Sequence, residues 1–424
     1  MKNIIKSELK RNLNFYKIVL VVGFIIASVS SNSLASAETQ KRVYPEKYEK
    51  LYIDRLKALF EGQGGQNGGF SYDPLLTVQG ADELQALPST TANKPNSINQ
   101  SALNSVNEYA ARQNSQALYI WHKGKMHSTE FFNGANKETL IVGRSLAKPI
   151  TVTAVGRAIQ DGYIESIEQP VSDFIREWKN TDRAGITIRH LLEMRSGLLK
   201  QSFSKDPKDI LNRAYLHPYH AEIIINEYPL THEPGTRYDY SNANAELIAP
   251  LIERATGKKY QDWISEEVFK PLGALGGKIW VNRPNGMVHA GCCILLPADT
   301  FFRIGLLSYF KGRWGGKQLL PNGYIKKTKT ASAQNKWSGM AAYLGQPYTE
   351  RRGAANPDIN VGKTYHSEPY LAQDLYLFDG NAHQVLYIVP SEELVVMRVG
   401  NPPPRNTPWD NAFIPNTLIR GIIR

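Results

Sequence analysis

The chain has 424 residues, of which 42% are hydrophobic, 10% aromatic and 21% charged, and it carries a formal net charge of +11. This apolar content supports a sizeable core and excludes global disorder, and the length allows one large two-lobed domain or two ordinary ones. The basic residues are scattered apart from short runs such as Lys326-Lys327, which reads as a solvated face; no nucleic-acid module accompanies them, and at most they favour an anionic membrane or cell wall.

Lys2, Lys6, Lys10, Arg11 and Lys17 form a basic region ahead of a short apolar run, Ile18 to Ser30, and Ala35-Ser36-Ala37 fits a small-residue cleavage site. The run falls short of the ~20 residues of a comfortable membrane span. Residues 1–37 are therefore expected to be an export signal delivering the protein to the periplasm, with an uncleaved membrane anchor as the alternative. Cleavage removes five positive charges and one negative, leaving +7, and no cysteine stands near the cut to take a lipid. Residues 38–95 read as an N-terminal extension. It has a helical stretch around Tyr44 to Phe60, then glycine-rich and Ser/Thr/Asn/Pro-rich connectors. Glu61 to Gly69 lacks the G-x-G-x-x-G spacing of a phosphate cradle and is expected to be a loop.

The catalytic domain is expected to run from 96 to 424. Ala102 to Arg112 has the apolar period of an amphipathic helix packed on a sheet. Ala117 to Phe132 predicts two strands joined by a tight turn at His122-Lys123-Gly124-Lys125. Thr151 to Ile164 predicts a largely apolar helix, and a mainly helical lobe is expected over about 145–285. Val385 to Val389 and Leu394 to Val399 read as strong apolar strands, and a helix near Asn416 to Ile423 closes the chain. The fold class is α/β in the α+β sense: an antiparallel sheet flanked by helices plus a helical lobe.

Ser145-Leu-Ala-Lys148 places a hydroxyl and an amine three residues apart, on one face of a helix. A serine hydroxyl is a poor nucleophile at neutral pH and needs a nearby base. A lysine becomes that base if burial or the positive end of a helix dipole lowers its pKa. Tyr240-Ser241-Asn242, from a distant segment, supplies a phenol that can take or relay the proton and an amide that can orient Lys148 or bind a substrate carbonyl. The backbone N–H of Ser145, at a helix start, is a natural oxyanion donor.

These motifs stand among Ile186-Thr187-Ile188-Arg189-His190-Leu191-Leu192, Ser196-Gly197-Leu198, Pro234-Gly235-Thr236-Arg237-Tyr238, Glu253-Arg254-Ala255-Thr256-Gly257 and Pro271-Leu272-Gly273. With them, the stretch from about Ala117 to Gly400 resembles the β-lactamase-related serine hydrolases. That group includes class C β-lactamases, D-alanyl-D-alanine carboxypeptidases, esterases and aminohexanoate-oligomer hydrolases. The resemblance implies Ser145 as acylated nucleophile, Lys148 as its partner, and Tyr240 and Asn242 as the second motif, in a cleft between the two lobes. The third motif departs from the family's Lys-Thr-Gly or His-x-Gly. The best register puts Asn381 at the Lys/His position and His383 at the Gly position, with the second oxyanion N–H from about Gln384. Asn381 cannot supply the cation that binds a substrate carboxylate, which tilts the expectation from β-lactamase or carboxypeptidase toward an esterase or amidase. Gly362-Lys363-Thr364 is a tempting alternative, but Tyr365 replaces the Gly, and the stretch reads as a loop.

Two rival readings use the same residues. Gly143-Arg144-Ser145-Leu146-Ala147 is close to G-x-S-x-G, with Glu138 to Val142 as the strand before a nucleophile elbow. His383 is then the base, with Asp358, Asp374 or Asp379 orienting it. The last glycine is missing, and strands do not alternate with helices between 150 and 280. The other rival is a non-catalytic binder that keeps the cleft. Cys292-Cys293 are adjacent, a spacing that strains a bridge, so two small buried thiols are expected. His217 and His220 are three apart but broken by Pro218, which argues against a metal. Asp206 to Tyr219 and Trp337 to Tyr348 are candidate rims of the cleft. No cofactor is expected, and the partner is a small ester, amide or peptide.

Overall fold

The computed structural model describes residues 42–61, 72–87, 96–353 and 363–424. The export-signal region, the glycine-rich stretch up to Gly69, Asp358 and Gly362 lie outside them. Residues 45–424 form one compact unit.

The centre of that unit is a six-stranded antiparallel sheet. Its strands are β2 (Ser115–His122), β3 (Lys125–Phe131), β7 (Tyr343–Leu344), β8 (Tyr376–Gly380), β9 (Gln384–Val389) and β10 (Leu394–Gly400), in the order β3-β2-β10-β9-β8-β7. Strands β9 and β10 are buried along their whole length, which is why they read as apolar runs, interrupted in β10 by Arg398, and not as alternating ones. One face of the sheet takes α2 (Gln100–Arg112) and the C-terminal α7 (Phe413–Arg420), through Leu103, Val106, Leu118, Leu377, Tyr387 and Leu418. Helix α2 starts where the side chain of Asn99 accepts from the N–H of Ala102, satisfying a donor the helix itself cannot. The other face takes α6 (Ala298–Tyr309), with Phe302 against Tyr119 and Tyr309 against Trp121. Gly305 lets α6 approach closely, since a β-carbon there would stand 2.4 Å from Leu386.

The helical lobe is built around α3 (Ala147–Gln160), buried at every position from Ala147 to Ala158. A helix apolar on all sides must be surrounded: Trp263 donates to the carbonyl of Ala154, Tyr324 to that of Val152, and α5 (Ile248–Thr256) packs alongside. Helix α4 (Asn242–Glu246) precedes α5. A second sheet, of order β1-β5-β6-β4, joins β1 (Leu75–Val78), β4 (Ile141–Val142), β5 (Gly277–Trp280) and β6 (Ile294–Leu296).

The described part of the N-terminal extension packs onto the domain. Strand β1 pairs with β5, and α1 (Glu46–Glu61) is pinned by Arg55, whose guanidinium donates to the carbonyls of Leu216, Asn282 and Asp73. Lys363 to Tyr365, expected to be a loop, forms a short ladder with Arg351 to Gly353.

Burial depresses the imidazoles of His122 and His383 to about 4 and that of His366 to about 3, from 6.5. Each binds a proton in the unfolded chain near the ordinary value but in the folded chain only well below it. Between those values the unfolded state holds more protons, so stability is full above the ordinary value and is lost as pH falls. Asp379 acts oppositely over part of that window, because burial raises its carboxyl to about 6 against the pull of Arg352. With three groups against one, the urea midpoint is expected to fall between about pH 7 and about pH 5. An unchanged midpoint contradicts this.

Candidate active site

Strand β4 delivers the chain to a tight turn over Arg144–Leu146 that runs straight into α3. Gly143 donates to the carbonyl of Ile294 and accepts from the N–H of Leu146, and Arg144 sits at φ +51°. That left-handed residue turns the chain so that Ser145 opens the helical segment and Lys148 follows on the same face. Lys148 Nζ lies 3.2 Å from Ser145 Oγ.

Tyr240 arrives on the segment before α4, with its hydroxyl 2.8 Å from Ser145 Oγ. The loop is fixed from behind: Tyr240 O accepts from the N–H of Gln201, and the amide of Gln201 accepts from the N–H of Asn242. Asn242 Oδ1 accepts from Lys148 Nζ at 2.8 Å, and the carbonyl of Gly291 does so at 2.7 Å. Lys148 is only 4% exposed, and its Nζ contacts three uncharged oxygens, with the Tyr240 ring 5.0 Å away. The structure thus brings together four residues that the sequence places in two distant motifs.

Gly291 was not singled out in the sequence. A β-carbon there would press on Ala245 and Glu246 at 3.0 Å, so glycine gives this segment room to pass close beside α4. The next two residues correct an expectation. Cys292 and Cys293 are bridged as a vicinal disulfide, buried under Tyr215, whose hydroxyl lies 3.1 Å from Cys292 Sγ. Cys293 takes φ +67°, and this left-handed backbone is how adjacent residues accommodate the bridge. Thiol titration of the unreduced, denatured protein is expected to find no free thiol, and two after reduction; two before reduction would restore the sequence expectation.

Behind α4 lies a second group that the sequence did not reveal. His220 pairs not with His217 but with Glu246 and His289, all three fully buried. Glu246 also accepts from the N–H of Ala290 at 2.8 Å, tying α4 to the segment that carries Gly291. Burial opposes its charge, but the imidazoles of His289 and His220 hold its carboxyl well below the usual range. Chemically these are ligands for a divalent cation. However, the two rings stack 3.9 Å apart and 10° from parallel, so no point lies in the plane of both, where a shared ion needs to sit. The group acts as a brace for the second motif.

The third segment requires a correction. The residue set against the nucleophile's turn is Gly380, whose added β-carbon would lie 3.0 Å from Gly143 O and 3.1 Å from Ser145 N. His383 stacks on Trp409, and the side chain of Gln384 both donates to and accepts from the backbone of Gly400. These two side chains are therefore committed elsewhere, while the role expected of Gln384 belongs to its backbone N–H and is untouched by these side-chain bonds. Asn381 is exposed at the turn after β8, with its side-chain Oδ1 accepting from the N–H of Ala382. The elbow reading loses support on the same evidence. Asp374 is held by Ser391, and among the described residues no carboxylate bonds to His383. Gly380→Ala is expected to push β8 off the Ser145 turn and lower turnover by about a hundredfold with little change in melting temperature. Wild-type turnover in that variant contradicts this placement.

Comparison with known proteins follows the geometry. A profile of the Beta-lactamase family matches residues 106–414. Protein flp of Staphylococcus aureus is 30% identical over 131 residues, 30% of this chain and 26% of that protein, so the match spans about a quarter of the relative's length. Among solved structures, the chain is similar in fold to a "Putative 6-aminohexanoate-dimer hydrolase from Bacillus anthracis", at TM-score 0.62 and 19% identity over 82% of this chain and 89% of the other. It is similar also to a class C β-lactamase from Rhodobacter sphaeroides, at TM-score 0.53 and 16% identity over 76% and 99%. The antiparallel sheet, the helical lobe and the family match agree: this chain belongs to the Beta-lactamase family, whose members are serine hydrolases.

Proposed function

We propose that the protein is an exported hydrolase that cleaves a carboxylic ester or amide through an acyl-enzyme on Ser145. The observation that carries this reading is the chain of contacts from Tyr240 through Ser145 to Lys148, at 2.8 and 3.2 Å, with the lysine buried. Lys148 and Tyr240 take the proton from Ser145 Oγ as it attacks the substrate carbonyl. The tetrahedral oxyanion is held by backbone N–H groups, that of Ser145 among them. Collapse breaks the bond to the alcohol or amine, which leaves with the proton held by the pair, and the acyl group stays on Oγ. Water, deprotonated by the same pair, then releases the acid and restores the serine. Asn242 keeps Lys148 in place and offers its amide to the substrate.

The exposed Asn381 supplies no cation for a substrate carboxylate, which favours an esterase or amidase over a β-lactamase or D-Ala-D-Ala carboxypeptidase. The names of the structural neighbours span both amide and β-lactam chemistry, so linear amides and β-lactams belong in the screen. Export to the periplasm rests on the basic N-terminal region, the apolar run and Ala35-Ser36-Ala37; association with a membrane or cell wall rests on the basic charge.

The test is fluorophosphonate labelling and p-nitrophenyl ester turnover of the full chain. Ser145→Ala is expected to abolish both. Labelling of that variant at the wild-type level refutes the assignment.

A further inference from the structure

Away from Ser145, a cavity of about 410 Å³ opens at the C-terminal end of α6 and the start of β8. Its walls include Tyr309, Tyr376 and Pro390, and three lysines face it: Lys311, Lys326 and Lys329. None of the four residues gathered around Ser145 lines it. Tyr376 is 1% exposed and its hydroxyl is bonded to Ser308, so that ring is a fixed wall. Lys329 is half-buried with its ammonium 5.0 Å from the centre of the Tyr376 ring. Among the described residues no carboxylate lies in ion-pair contact with any of the three lysines. The nearby acid, Asp374, is spent on the N–H and hydroxyl of Ser391, at 2.9 and 2.7 Å. Burial lowers the pKa of Lys329 against the attraction of Asp374.

A surface cation normally sheds little by remaining in water. Here one ammonium has given up part of its hydration for an aromatic face, beside two further cations that have no ion-pair partner among the described residues. The volume is in the range of small-molecule sites, ~300–1,000 Å³. Apolar walls with a few convergent charged groups are the usual make-up of such sites. We propose that this cavity binds a small organic anion, with an apolar or aromatic body against Tyr309 and Pro390 and a carboxylate, sulfonate or phosphate group on Lys311, Lys326 and Lys329. Strand β8 carries the cavity at Tyr376 and the Ser145 turn at Gly380, four residues or ~13 Å apart, so the two sites share one element without sharing a residue.

The test uses anilinonaphthalenesulfonate fluorescence with the full-length Ser145→Ala protein, so that failure of the hydrolase reading leaves it intact. One bound equivalent is expected. Lys311→Gln/Lys326→Gln/Lys329→Gln is expected to weaken binding by about tenfold or more, and anilinonaphthalene without the sulfonate is expected to bind more weakly than the anion by a similar factor. Should the triple variant not fold, Lys329→Met alone is expected to weaken binding several-fold. Wild-type affinity in the folded lysine variants, or equal binding of the uncharged analogue, overturns the proposal.

Discussion

Lys148→Met is expected to lower ester turnover by about a thousandfold or more while the protein remains folded. The expectation rests on how completely this side chain is used. It is buried, and its Nζ meets three oxygens: those of the nucleophile, the Asn242 amide and the Gly291 carbonyl. Among the described residues, the other group of comparable position that touches Ser145 Oγ is Tyr240. Methionine keeps the length and volume of the stem but removes the proton acceptor and the group that orients both partners. Losses in such units are not additive, so Tyr240→Phe, expected to cost about a hundredfold or more alone, should add little to Lys148→Met. His383→Ala is expected to change turnover less than tenfold. The opposite pattern, with His383→Ala dead and Lys148→Met active, would restore the nucleophile-elbow reading.

Arg398→Met is expected to be among the most destabilising single changes in the chain. Arg398 is fully buried in β10 and, among the described residues, meets no carboxylate. Its guanidinium donates to the hydroxyl of Ser115 and to the carbonyls of Gln113, Ala382, His383 and Asn401, and it lies 5.3 Å from the Trp409 ring. Burial lowers its pKa to about 10, which leaves it charged at neutral pH. Removing it strands several buried carbonyls at once. Each unpaired buried polar group costs about 1–3 kcal/mol. Two of those carbonyls belong to the Ala382-His383 turn, where both residues have positive φ, at +66° and +56°. The same change is therefore expected to loosen the end of β8 that holds Gly380 against Ser145. Urea unfolding and turnover should fall together. A midpoint within experimental error of wild type would show that the turn is held by other contacts.

What was legible in the sequence followed from local chemistry. A serine and a lysine three apart must share a helix face, so that pair could be read directly. Strands β9 and β10 could be read because complete burial leaves a mostly apolar run, even with Arg398 inside β10. The α2 helix announced itself through its apolar period. What was not legible depends on where distant backbone approaches a side chain. Gly291 and Gly380 act by lacking a β-carbon where α4 and the Ser145 turn come close, and a lone glycine in an apolar stretch does not say which. The Asn381 to Gln384 segment was aligned by residue type, while the structure spends His383 and Gln384 on Trp409 and Gly400. The cysteine pair was misjudged because adjacency suggests strain, and the positive φ that accommodates a bridge is invisible in a sequence. His220, Glu246 and His289 come from three separate segments, so no local spacing betrays them.

The central claim is that Ser145 becomes covalently acylated, and intact-protein mass spectrometry during steady-state turnover of a p-nitrophenyl ester tests it most directly. One acyl mass is expected on the wild-type chain, mapped by peptide fragmentation to Ser145 and absent from Ser145→Ala. Turnover with no adduct at that residue, or an adduct that persists on another side chain in the Ser145→Ala protein, would contradict it.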